Sequence, residues 1–134
     1  MPRPRLLLAD DNALVAAQIK DLLSPWYDVV GVVSSGEELE AAFEALSPQV
    51  IVTDIAMPGG GGLTAVKRIR ERHPGTPVVL LTVLDQPPMV RLGLSVGAQG
   101  YVVKQDAGEE LVEAVRAALE GRQYISSSGR CELH

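Results

Sequence analysis

The sequence has a single cysteine, Cys131, and it has no apolar run of membrane-spanning length. One cysteine cannot form a disulfide within the chain, which fits a reducing compartment. The N-terminal segment MPRPR is charged, but the LLLA that follows it is too short for the apolar core of a signal peptide. We therefore expect a cytoplasmic protein that does not enter a membrane.

Positive charge is scarce as well. The 12 lysines and arginines are outnumbered by 17 aspartates and glutamates, which gives a formal net charge of −5. Proteins that bind nucleic acids need cations to neutralise the phosphates, so we expect no direct contact between this chain and DNA or RNA. The 134 residues, 46% of them hydrophobic, suffice for one domain with its own core.

What the sequence does contain is a regular alternation of apolar runs and helical spacings. Apolar runs predict five strands, near residues 6–9, 28–33, 49–55, 77–83 and 100–104. The segments after them predict five helices, of which 88–98 should be the least stable because it contains two glycines. This order predicts an α/β fold of right-handed βαβ units, with a mainly parallel sheet covered on both faces. We expect an N-terminal tail over 1–4, one domain over 5–121, and a tail or the start of a linker over 122–134.

Polar side chains stand at the ends of four predicted strands: Asp10 and Asp11 after the first, Asp54 at the third, Thr82 at the fourth and Lys104 at the fifth. Any one of them alone is most simply a solvated strand end. Together they predict a binding site, because open α/β sheets bind ligands beyond the carboxyl ends of their strands. Three carboxylates and one lysine favour a hard divalent cation such as Mg²⁺, and a set without cysteine or histidine argues against zinc.

A run of four glycines at 59–62 could suggest a phosphate-binding loop. No Lys-Ser or Lys-Thr pair follows it, so it does not have the P-loop pattern. We expect Gly59–Gly61 to form a flexible loop between a strand and a helix.

Four motifs, in order along these strands, match a known family. They are ADD after the first strand, DIAMPGGGG from Asp54 to Gly62, LLT ending at Thr82, and GAQGYVVK ending at Lys104. The chain resembles, over residues 4–121, the receiver domain of bacterial two-component response regulators. The resemblance implies a flavodoxin-like, doubly wound (βα)5 fold with a five-stranded parallel sheet of order 2-1-3-4-5. The later segment EGRQYIS resembles the end of receivers in the NarL/FixJ subfamily, which continue into a helix-turn-helix DNA-binding domain.

The resemblance implies a role for each residue of the predicted site. Asp54 is the phosphoacceptor, which takes its phosphoryl group from a sensor histidine kinase or a small acyl phosphate. Mg²⁺ is held by Asp11, Asp54 and the backbone carbonyl of Ala56, with Asp10 acting through a water molecule. Lys104 neutralises charge on the phosphoryl oxygens.

Two further residues match the family's switch pair. Thr82 contacts the phosphoryl group, and Tyr101 then rotates into the space that Thr82 vacates. The implied output is a phosphorylation-dependent surface or homodimer, with transcription controlled through a DNA-binding domain that these 134 residues do not include. Gln105 departs from the pattern, since many receivers have proline there. We expect a receiver cut from a longer regulator, with a natural single-domain protein as the alternative.

Two other functions compete with this interpretation. A Mg²⁺-dependent phosphohydrolase with an aspartyl nucleophile usually has a second aspartate two residues later, where this chain has Ala56. A degenerate receiver that works without phosphorylation should lack a member of the acidic pair, the acceptor or the lysine, and all of them are present. The sequence therefore favours a signalling module over an enzyme.

Overall fold

The computed structural model describes residues 3–57, 61–83 and 97–128, and it has the predicted alternation of strands and helices. The elements are β1 (Arg5–Ala9), α1 (Ala13–Leu23), β2 (Asp28–Val33), α2 (Gly36–Leu46), β3 (Val50–Asp54), α3 (Gly61–Arg72), β4 (Val78–Thr82), β5 (Gly100–Val103), a 3₁₀ turn (Lys104–Asp106), α4 (Ala107–Leu119) and β6 (Tyr124–Ile125). The predicted helix over 88–98 lies outside the described residues, except for Gly97 and Ala98, which are not helical.

The strands form one parallel sheet in the order β2-β1-β3-β4-β5-β6. The first five strands have the predicted order, which confirms the flavodoxin-like topology. From β1 the chain crosses to one side for β2 and to the other side for β3. The carboxyl ends of β1 and β3 therefore flank the point where the strand order reverses, which is where doubly wound sheets bind ligands.

The sixth strand corrects the expectation of a five-stranded sheet, since it lies in the segment that we expected to be a tail. Tyr124 N donates to Gln99 O at 2.8 Å, and Ser126 N donates to Tyr101 O at 2.9 Å. Two residues are too few to show a strand period in the sequence. The edge of β5 offers them backbone hydrogen bonds, so packing on the sheet continues past Gly121.

Helices cover both faces of the sheet, as predicted. On β1, Leu7 and Ala9 point into the layer beneath α2 and α3, whereas Leu6 and Leu8 point into the layer beneath α1 and α4. All five residues of β3 and of β4 are buried, as expected for central parallel strands. Because both layers are closely packed, the strand ends have fixed positions.

Local capping explains where two of the helices begin. The Ser35 hydroxyl accepts a hydrogen bond from Glu38 N at 3.1 Å, so Ser35 is the N-cap of α2. The Asn12 side chain does the same for α1 through Val15 N, also at 3.1 Å. In the described part of the chain, no helix has the length and apolar character needed to cross a bilayer.

Candidate functional site

An acidic pocket lies at the carboxyl ends of β1 and β3. Asp10, Asp11 and Asp54 each bring one carboxylate oxygen within 4.8 Å of the others. The strands are neighbours, and Ala9 pairs with Thr53, so the residues that follow each of them, Asp10 and Asp54, lie side by side. Asp10 is 2% exposed and Asp54 is 6% exposed, whereas Asp11 faces solvent. The three predicted carboxylates therefore form one pocket that opens toward water at Asp11.

Lys104 reaches into this pocket from the end of β5. Its Nζ donates to Asp54 Oδ2 at 2.9 Å and lies 3.1 Å from Asp10 Oδ2. One ammonium thus contacts both buried carboxylates. Three carboxylates against one lysine leave the pocket with an excess of negative charge, which makes a bound cation favourable.

The hydrogen bonds of the two buried carboxylates indicate whether the pocket suits a metal. Asp54 Oδ1 accepts from Ala56 N at 3.2 Å, and Asp10 Oδ1 accepts from Asn12 N at 2.9 Å. Asp10 Oδ2 is buried and, despite its contact with Lys104, makes no hydrogen bond of standard geometry. A buried carboxylate oxygen without a full set of partners is costly. The carboxylate oxygens of the triad are ligands that suit a hard cation, and the triad can therefore bind a metal.

The protonation of Asp54 and Lys104 follows from their surroundings. Burial raises the pKa of Asp54, the hydrogen bond from Lys104 offsets part of that rise, and the charge of Asp10 adds to it. Burial lowers the pKa of Lys104, but its pairing with Asp54 and Asp10 outweighs burial and raises it. Lys104 is thus firmly cationic at neutral pH, while the ionised Asp54 is held at a cost to the folded state.

The two residues of the predicted switch lie on one face of the sheet. Thr82 is buried at the end of β4, and its hydroxyl donates to Val83 O at 3.2 Å. Tyr101 pairs in register with Leu80, and both lie in the layer beneath α2 and α3. Thr82 is two residues after Leu80 on the same strand, so its side chain lies on the same face as that of Tyr101. Tyr101 is 2% exposed, which places its ring in the core rather than at the sheet edge with the other predicted residues.

The start of α3 shows what sequence reasoning missed. Gly61 has φ +79° and is the first residue of α3, which corrects the expectation of a flexible loop at this residue. Gly59 and Gly60 lie outside the described residues. A Cβ on Gly62 would lie 1.9 Å from the backbone oxygen of Asp54. The helix therefore packs against β3 closely enough to require glycine at position 62, and the only signal of this in the sequence was a glycine pair ahead of a helical pattern.

Comparison with known proteins identifies the class of this fold and site. Residues 6–116 match the response regulator receiver domain family. The chain belongs to that family, and it is a signalling module rather than a conventional enzyme.

Individual relatives narrow the assignment from the family to a subfamily. The chain is 38% identical over 124 residues to the response regulator GacA of Pseudomonas protegens, an alignment that covers 91% of the chain and 58% of GacA. It is 28% identical to a LuxR-family two-component response regulator from Aurantimonas, with a TM-score of 0.92 over 98% of this chain and 95% of that one. It is 29% identical to the Salmonella typhimurium RcsB response regulator, in a structure concerned with DNA interaction, with a TM-score of 0.90 over 99% of this chain and 68% of that one. These relatives confirm the NarL/FixJ subfamily, and the chain spans a little over half the length of GacA.

Proposed function

We propose that this chain is the phosphoacceptor domain of a transcriptional response regulator and that Asp54 accepts the phosphoryl group from a sensor histidine kinase. The observation that supports this most directly is the contact of Lys104 Nζ with Asp54 Oδ2 at 2.9 Å inside the acidic triad. The buried carboxylate is held close to a cation that can move onto a phosphoryl oxygen. Membership of the receiver family supports the same assignment.

In the proposed reaction a carboxylate oxygen of Asp54 attacks phosphorus in line. The new P–O bond forms as the P–N bond of a phosphohistidine, or the P–O bond of an acyl phosphate, breaks and the leaving group departs with the electron pair. As negative charge develops on the phosphoryl oxygens, the ammonium of Lys104 shifts its contact from the Asp54 carboxylate to those oxygens. Thr82 offers its hydroxyl to one of those oxygens in place of Val83 O.

The metal in this proposal is Mg²⁺. The residues that would hold it are Asp11, Asp54 and the Ala56 carbonyl, with Asp10 acting through water. When bound, Mg²⁺ supplies charge neutralisation at the phosphoryl oxygens and lets the dianionic donor approach an acidic pocket. The excess negative charge and the incompletely bonded Asp10 Oδ2 support this assignment.

Signal output is assigned to the face that contains Thr82 and Tyr101. Movement of the Thr82 hydroxyl toward a phosphoryl group opens space on the face that the Tyr101 ring shares, and two arrangements of that surface result. We propose that one of them favours a homodimer and that the segment after residue 121 leads to a DNA-binding domain. The similarity to RcsB, whose structure was determined in connection with DNA interaction, supports transcription control. A sensor histidine kinase takes its phosphoryl group from ATP. Because ATP is found in the cytoplasm, we propose that the reaction takes place there.

The test is the intact mass of the purified chain after incubation with Mg²⁺ and acetyl phosphate or phosphoramidate. We expect the gain of one phosphoryl group in the wild type and in Asp21→Ala, which removes an exposed carboxylate of α1. Asp54→Ala, and the wild type without Mg²⁺, should show no gain. A folded wild type that gains no mass from either donor contradicts the proposal. Turnover of a phosphomonoester by the wild type would instead support the phosphohydrolase.

A further inference from the structure

Residues 124–128 run across the end of β5 and contact the backbone next to Lys104; we call them the C-terminal strap. Ser126 is fully buried, and its hydroxyl accepts a hydrogen bond from Val103 N at 2.9 Å. Val103 directly precedes Lys104, so the strap fixes the chain on one side of the lysine. The reaction proposed above assigns no role to the strap.

On the other side of the lysine, the strap bonds to the 3₁₀ turn that Lys104 begins. Asp106 stands at the N-cap position of α4, yet its side chain makes no capping bond. Its two carboxylate oxygens accept instead from Ser128, from the backbone N at 2.9 Å and from the hydroxyl at 3.0 Å. Gln105 Nε2 also donates to the Ser128 hydroxyl, at 2.8 Å. A residue type that normally caps a helix is used here to hold the strap.

A third anchor comes from the first turn of α4. Glu110 accepts from the Tyr124 hydroxyl at 2.7 Å and from Ser127 N at 3.0 Å. Ser127 and Ser128 have helical backbone conformation. Carboxylates that accept the free N–H groups at the start of a helical turn stabilise that turn, so Glu110 and Asp106 together hold the strap in place.

The strap therefore contacts the residues on both sides of Lys104. The lysine side chain is a flexible four-carbon stem. The contacts of its Nζ with Asp54 Oδ2 at 2.9 Å and Asp10 Oδ2 at 3.1 Å therefore depend on where the Lys104 backbone lies. We propose that the C-terminal strap positions Lys104 for phosphoryl transfer, with Ser126 and Asp106 as positioning residues. This inference rests on the proposed function of Asp54 and Lys104. Phosphoryl-group chemistry at Asp54 is then coupled to the segment that leads out of the domain.

The first test is the rate of phosphorylation by acetyl phosphate with saturating Mg²⁺. Asp106→Ala and Ser128→Ala remove the bonds between the strap and the turn, and we expect each to slow the reaction about tenfold, because small displacements of a reacting group are costly. The matched control is Glu109→Gln, an exposed glutamate beside Glu110 that should keep the wild-type rate. Circular dichroism checks that each variant is folded.

A double-mutant cycle separates positioning of Lys104 from general loosening of the domain. In a Lys104→Met background, Asp106→Ala should cause no further loss of rate, because the group that it positions is gone. Equal losses with and without Lys104 overturn the proposal, and so does a folded Asp106→Ala with the wild-type rate.

Hydrogen exchange of the metal-free protein gives a readout that needs no phosphorylation. We expect Asp106→Ala and Ser128→Ala to speed exchange of the amides of 103–107 and Glu109→Gln to leave it unchanged. If the wild type accepts no phosphoryl group, the proposed function fails and exchange alone decides. Unchanged protection of 103–107 in both strap variants then overturns positioning by the strap.

Discussion

Gly62 at the start of α3 packs closely against Asp54 at the end of β3, and this leads to a strong prediction. Gly62 N donates to Ile55 O at 2.9 Å, which draws the start of α3 against the end of β3. In Gly62→Ala the new Cβ would lie 1.9 Å from Asp54 O, more than 1 Å inside the 3.0 Å that real Cβ contacts respect. It would also lie 3.1 Å from the Thr53 hydroxyl. Thr53 and Asp54 belong to a fully buried strand, so α3 has to move.

We expect Gly62→Ala to lower the free energy of unfolding by about 2 kcal/mol. Inserting a methyl group into a packed site costs about 1–3 kcal/mol, and a displacement of this size puts the cost at the upper end. The better helix propensity of alanine returns up to about 1 kcal/mol. For a domain of this length, the loss corresponds to a fall in Tm of roughly 8 °C.

The assay is urea and thermal unfolding followed by circular dichroism, with Gly108→Ala as the control. Gly62 and Gly108 are the second residues of α3 and α4, but a Cβ on Gly108 would have nothing within 4 Å. Gly108→Ala should therefore leave stability unchanged or raise it by up to about 1 kcal/mol. The reasoning is refuted if Gly62→Ala is as stable as the wild type or as Gly108→Ala.

Three further predictions follow from the charges and hydrogen bonds. Because burial raises the pKa of Asp54, its ionised form costs the folded state and stability is lost as pH rises through that pKa; Asp54→Asn should raise Tm in Mg²⁺-free buffer at pH 7 and gain less with Mg²⁺ present. Burial raises the pKa of Glu110, but hydrogen bonds from Tyr124 and Ser127 of the strap outweigh it and lower the pKa. Its stabilisation is thus present above the ordinary carboxylate range and lost as pH falls through the lowered pKa, a dependence that Glu110→Gln should remove from unfolding curves at pH 3–6. Tyr27→Phe removes the 2.9 Å hydrogen bond to Val112 O and should cost about 1 kcal/mol without slowing phosphorylation, since Tyr27 lies at the opposite end of the sheet.

Each of these has an outcome that contradicts it. A lower Tm for Asp54→Asn without Mg²⁺ would mean that the pair with Lys104 contributes more than the carboxylates cost. An unchanged acid limb in Glu110→Gln would deny the strap bonds a part in stability. A slow reaction in Tyr27→Phe would show that the two ends of the sheet are coupled.

The strands and the charged residues at their ends could be predicted because each is announced by a change of residue type. Val50–Asp54 is an apolar run that stops at a carboxylate, and it is buried along its whole length. The strand order, by contrast, came from family resemblance, since apolar runs state that strands exist and not which ones pair. With that order, Asp10 and Asp54 become neighbours and Lys104 comes within reach of both.

The parts that the sequence did not reveal depend on contacts between distant segments. Tyr124–Ile125 is a strand because β5 has a free edge beside it, and nothing within those two residues shows this. Asp106 occupies a helix-cap position and its carboxylate bonds elsewhere, a choice that local propensity cannot predict. The close approach of Gly62 to Asp54 is likewise a matter of how α3 packs on β3, which the spacing of residues leaves open.

The position of Lys104 ties the reaction to the order in which the domain folds. Its ammonium contacts Asp54, 50 residues earlier, and also Asp10 near the start of the chain. Contacts this distant in sequence close only after the intervening strands have joined the sheet, because loop closure must precede them. A nascent chain that has formed β1 through β4 contains the carboxylates of Asp10 and Asp54 but not yet the ammonium of Lys104 that contacts them. On the proposed function, the ability to accept a phosphoryl group with the help of Lys104 is therefore a property of the completed domain.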